Sequence, residues 1–80
     1  MIRSVQHSDG EVILPEGQLG TGFCVLESGA IEVVKGDNVL QTIENAGTVF
    51  GELSEILGEK RPVTIRAKGD CVIRHVEENL

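Results

Sequence analysis

Ten glycines punctuate this 80-residue chain, at positions 10, 17, 20, 22, 29, 36, 47, 51, 58 and 69. Between them lie short apolar runs: Glu11–Leu14, Phe23–Leu26, Ala30–Val34, Val39–Ile43, Val63–Ala67 and Cys71–Val76. Each run is rich in β-branched residues and bounded by Gly, Pro, Asp or Asn, the marks of strands and the turns between them. Ile31 and Val33 alternate with Glu32 and Val34. Val63, Ile65 and Ala67 alternate with Thr64 and Arg66, the strand period. Lys35-Gly36-Asp37-Asn38 has the residues of a tight hairpin turn. Short strands at this spacing predict an all-β sandwich or barrel. One segment departs from the pattern. Leu53, Ile56 and Leu57 fall at helical spacing, and Gly58 ends them, so Glu52–Leu57 is expected to form one short helix.

A chain of 80 residues is read as one domain, residues 1–80, with a thin core. Phe23 and Phe50 are its only aromatic residues, so Val, Ile, Leu and Ala must fill that core. The net charge of −6 and the scattering of the seven basic residues exclude a nucleic-acid partner and disfavour an anionic membrane. A small anion remains compatible wherever donors converge. No signal peptide is visible, and no apolar run is long enough to span a bilayer. The expected location is therefore cytoplasmic. Sequence alone leaves a disulfide between Cys24 and Cys71 open, but their place in apolar runs favours two buried thiols. His7 and His75 stand near opposite ends of the chain, outside metal-ligand spacing, and read as strand or surface residues. Cys24 has no neighbouring base in sequence, and no Ser–His or Cys–His nucleophile pair emerges. The chain does not read as an enzyme, and no metal or cofactor is expected.

Residues 47 to 64 carry the chemistry. Gly51 allows a sharp turn and a close backbone approach to a ligand. The first N–H groups of the helix expected after it lack intrahelical partners and attract an anion. Glu52 has the carboxylate to accept hydrogen bonds from sugar hydroxyls. Arg61, nine residues later, has a planar fork that matches two phosphate oxygens. On those residues alone, a helix cap and a solvated loop arginine explain the pattern better than a site for a phosphorylated sugar does.

From about His7 to Val76 the chain resembles the cyclic nucleotide-binding domain family. Gly10-Glu11-Val12-Ile13-Leu14-Pro15-Glu16-Gly17 is similar to the family's opening strand and turn. Phe23–Val33 resembles the hairpin that follows. Gly47-Thr48-Val49-Phe50-Gly51-Glu52-Leu53 resembles the entrance to the phosphate-binding cassette, and Arg61 falls where the cassette's arginine belongs. Arg66-Ala67 and Asp70-Cys71 resemble the closing strands. The resemblance implies a double-stranded β-helix, a jelly-roll or cupin-like β-roll, with one short helix in the cassette. It implies a regulatory module whose ligand is cyclic AMP or cyclic GMP. Arg61 and the amides of Gly51 and Leu53 would hold the phosphate, and Glu52 the ribose hydroxyl. Ser54, Pro62 and Val63 complete the expected ligand-binding set.

Three departures point to an alternative of another class, a β-roll that serves as a protein-interaction or oligomerisation scaffold. Pro62 lacks the backbone N–H that the family often places after the arginine. Glu55 adds negative charge near an anion site. The C-terminal lid helices of the family do not follow within these 80 residues. The expected partners are accordingly a cyclic nucleotide, and either a second copy of the chain through an open sheet edge or a protein that supplies the lid.

Overall fold

Two long strands carry the fold. The computed structural model describes residues 1–19, 22–51 and 58–77. Within it lie β1 (Ile2–His7), β2 (Val12–Leu14), β3 (Phe23–Lys35), β4 (Asn38–Ile43), β5 (Val49–Phe50) and β6 (Thr64–Val76). All pair antiparallel in one open sheet with the order β1-β6-β3-β4, while β2 joins β6 and β5 joins β3. The all-β expectation holds. The helix expected at residues 52–57 lies outside the described residues.

β3 and β6 run side by side from the Phe23–Val76 pair to the Val34–Thr64 pair. The sequence suggested a hairpin within residues 23–33, with strands on either side of Ser28-Gly29. The structure corrects this: β3 is continuous there, and its register against β6 shifts around Ser28 instead. Gly29 makes the passage possible. Its φ is +84°, and a Cβ built on it would lie 2.6 Å from the Asp70 carbonyl oxygen and 2.8 Å from the Cys71 Cβ. Only glycine fits so close to a neighbouring strand in that conformation. Residues 63–67 and 71–76 likewise belong to one region of chain, with β6 running through Gly69 from Thr64 to Val76. The hairpin after Lys35 forms as expected, with Lys35 paired to Asn38 across the two-residue loop Gly36-Asp37.

β6 keeps one phase throughout: Ile65, Ala67, Cys71 and Ile73 all face inward. β3 buries Cys24 and Leu26, then Ile31 and Val34, because its bulges change which residues face the core. Ile13, Cys24, Leu26, Ile31, Phe50, Ile65, Ala67, Cys71 and Ile73 form one apolar cluster, against which Leu14, Val33, Ile43 and Val63 pack. Phe50 therefore anchors the approach to Gly51. Both thiols are free and buried, as their apolar runs implied. The two-residue β5 fell outside the apolar runs, and β1 is the longer element that sequence pattern missed. Its alternation is weak, and its pairing with β6 joins the two ends of the described chain, with His7 opposite Cys71.

Candidate functional site

Arg61 has its backbone fixed before its side chain meets anything. Its N–H donates to the Gln18 carbonyl at 2.8 Å, and its carbonyl accepts from the Gly17 N–H at 2.8 Å. Leu19 and Lys60 extend the contact as an antiparallel bridge. The turn after β2 thus holds the arginine in place. On the other side, Lys35 Nζ donates to the Pro62 carbonyl at 2.8 Å, and Glu16 Oε2 lies 3.5 Å from the same ammonium. The β3–β4 hairpin tip is thereby tied to the segment that follows Arg61.

The side chain of Arg61 turns inward and is only 8% exposed. Its Nη1 donates to the Gly51 carbonyl at 3.3 Å. That bond is long for N–H···O, and the guanidinium carries five N–H donors. Among the described residues, the other three arginines all have carboxylates. Arg74 lies 2.7 Å from Glu27, Arg66 is 3.7 Å from Glu32, and Arg3 is 3.9 Å from Glu77. Arg61 has none within the described residues, although it is the most deeply buried of the four. A buried cation whose described partner is one long-range carbonyl is an electrostatic invitation to an anion.

Gly51 is fitted to this arrangement. Its φ is +88°, and a Cβ there would lie 2.8 Å from Arg61 Nη1 and 3.0 Å from Leu14 Cδ1. A side chain would meet backbone strain and also push against the guanidinium. The sequence placed Gly51 and Arg61 at one site, and the fold brings them into contact across nine intervening residues. Pro62 is exposed beside Arg61, while Val63 packs against the core rather than standing free. Glu52, Leu53 and Ser54, the remaining members of the expected set, lie outside the described residues, as does Glu55.

The charge of Arg61 also reaches Cys24. Burial pushes that thiol up to about 11, and the nearby guanidinium acts in the opposite direction. Burial thus favours the neutral S–H of Cys24 over its thiolate. Among the described residues, two surface hollows lie elsewhere. One, of about 400 Å³, is lined by Gln41–Asn45 and Lys68. The other, of about 310 Å³, includes Arg74, whose guanidinium is already taken by Glu27. Neither is lined by a buried cation that lacks a carboxylate among the described residues.

A second polar cluster escaped sequence reasoning. His7 and His75, 68 positions apart, meet at 3.0 Å between their Nε2 atoms. Both lie on strands, as one of the two sequence readings has it, with His7 buried and His75 half-buried. Cys24 Sγ lies 3.5 Å from His75 Nδ1, supplying the base that Cys24 lacks in sequence. The signal that would have revealed the cluster is the pairing of β1 with β6, which short-range periodicity does not carry.

Comparison with known proteins places the chain among relatives. Residues 4–79 match the family described as cyclic nucleotide-binding domain. The cAMP-dependent protein kinase regulatory subunit of Blastocladiella emersonii is 36% identical over 72 residues, covering 85% of this chain and 18% of that protein. The chain thus spans under a fifth of that relative's length. The regulatory domain of Toxoplasma gondii PKA, solved with cAMP, superposes with a TM-score of 0.86 at 30% identity, covering 95% of this chain and 31% of that one. The regulatory subunit of a cAMP-independent protein kinase A from Trypanosoma brucei shares the fold, with a TM-score of 0.87 at 19% identity, covering 95% of this chain and 28% of that one.

Proposed function

The chain belongs to the cyclic nucleotide-binding domain family, and we propose that it is a regulatory module that holds cyclic AMP or cyclic GMP with its phosphate at Arg61. The observation that carries this reading is the buried Arg61 guanidinium, set against Gly51 with one described carbonyl partner at 3.3 Å. A cyclic phosphate monoanion would give its remaining donors charge-assisted partners. In this reading the amides of Gly51 and Leu53 assist, Glu52 takes the ribose hydroxyl, and Ser54, Pro62 and Val63 line the rest. The relationship to a cAMP-dependent kinase regulatory subunit supports a binding role rather than a catalytic one. Residues 1–80 act as one binding unit in this proposal. The setting is cytoplasmic, and a partner protein or a second copy covers the base. Among the described residues no helix is long and apolar enough to cross a membrane.

One observation favours a scaffold reading instead. Pro62 offers no N–H beside Arg61, and its carbonyl is engaged by Lys35. Calorimetric titration of the 80-residue chain with each cyclic nucleotide separates the two readings. The expected result is a saturable exothermic signal for at least one of them. A flat trace up to about millimolar ligand would favour the scaffold.

A further inference from the structure

The polar cluster behind the core forms a continuous chain of hydrogen bonds. Glu11 Oε1 lies 2.9 Å from His7 Nδ1, His7 Nε2 lies 3.0 Å from His75 Nε2, and His75 Nδ1 lies 3.5 Å from Cys24 Sγ. The Ser8 N–H holds the other Glu11 oxygen at 3.0 Å. That backbone bond first, and the bond from His7 second, keep Glu11 below the usual carboxylate range, so it is an acceptor. The protons then follow in order. A carboxylate only accepts, so His7 Nδ1 bears hydrogen. In a neutral His7 the Nε2 is a lone pair, so His75 Nε2–H donates to it. That leaves His75 Nδ1 to accept from the Cys24 thiol, which is protonated.

One added proton fits this chain. The imidazole–imidazole bond still has one donor and one acceptor, and His75 Nδ1–H then turns toward the sulfur. A second proton does not fit. Both Nε2 atoms would carry hydrogen and positive charge at 3.0 Å, with no acceptor between them. We propose that His7 and His75 form a proton-operated clasp, holding β1 against β6 while at most one ring is charged and releasing when both are.

The surroundings fit a clasp that resists charging. His75, on β6, faces Cys24 from β3, His7 and Arg3 from β1, and Glu77 beyond its own strand. Burial first, then His7 and Arg3, hold it below the usual imidazole value, and among the described residues Glu77 opposes them. Arg61 lies close enough to act on Cys24 at the far end. Among the described residues no group of three His, Cys, Asp or Glu side chains is placed to hold a metal.

Because His75 takes its proton less readily folded than unfolded, the unfolded chain protonates first as pH falls through about 6.5. The stability it contributes is full above that pH and is lost below it, down through the folded value. This clasp stands apart from the nucleotide reading, and its test needs no ligand. Imidazole ¹⁵N spectra of the 80-residue chain are followed from about pH 8 to about pH 5. The expected result is Nδ1–H on His7 and Nε2–H on His75 at the upper end. On acidification His75 charges below the free-imidazole range, with loss of β1 amide protection. In His7→Gln the melting temperature should then depend less on pH than in the parent chain. If that variant does not fold, the parent spectra decide alone. Two imidazoles that titrate independently near the free value, with β1 protection unchanged, would overturn the clasp.

Discussion

In Arg61→Ala, cyclic AMP affinity is expected to fall by about two orders of magnitude while the fold persists. The reason is the position of the guanidinium. It is buried against the Gly51 carbonyl with no carboxylate among the described residues, and a bound phosphate would add a full counter-charge there. Removing one partner of a desolvated charge pair costs about 2–5 kcal/mol of binding, and about 2.7 kcal/mol corresponds to a hundredfold change in Kd. Folding should suffer far less, because replacing a buried charge relieves desolvation as well as removing contacts. Arg61→Lys should rescue only part of the loss, since an ammonium keeps the charge but not the fork. Calorimetry gives the affinities, and thermal melts of both variants check the fold. Equal affinity in Arg61→Ala and the parent chain would remove Arg61 from the site.

Leu26→Ala is expected to do the reverse and act on the fold itself. Leu26 is fully buried on β3, opposite Ile73 on β6, and its backbone pairs with Gly47 and Thr48 ahead of β5. The substitution leaves a cavity where three strands meet, at a cost of about 2–5 kcal/mol. A domain of this size has roughly 4–12 kcal/mol of stability, so the loss is a large fraction of the whole. The melting temperature should drop by about 10 °C or more, since each kcal/mol shifts a small domain by about 4–8 °C. Circular dichroism melts and urea unfolding measure it. A loss below about 0.5 kcal/mol, typical of surface sites, would mean that Leu26 is not the core residue described.

The strand content was legible because β-branched runs between glycines follow local rules, and the buried set Ile31, Ile65, Ala67 and Ile73 lies within those runs. Lys35–Asn38 was legible for the same reason, since a two-residue hairpin loop has its own turn chemistry. Continuity was harder to read. Gly29 looks like a strand terminus in sequence, but the close pass over Asp70 and Cys71 that demands glycine there is a tertiary fact. β1 was invisible because the partner that stabilises it, β6, lies at the other end of the chain. At the site, Gly51 and Arg61 were legible as residue types. Their contact, and the fixing of Arg61 by Gly17 and Gln18, depend on packing that no local pattern encodes. The His7–His75 pair is the extreme case, with two residues that seemed unrelated in sequence sharing a hydrogen bond.

A single pair of spectra tests whether Arg61 grips the phosphate. Guanidinium ¹⁵N signals of the chain and the ³¹P signal of cyclic AMP are recorded together through a titration. The proposal predicts that the Arg61 signals and the phosphorus resonance move in step and saturate at the same ratio, and that the ³¹P change vanishes in Arg61→Ala. Saturable binding of cyclic AMP with the Arg61 signals unmoved, or no binding at all, would contradict it.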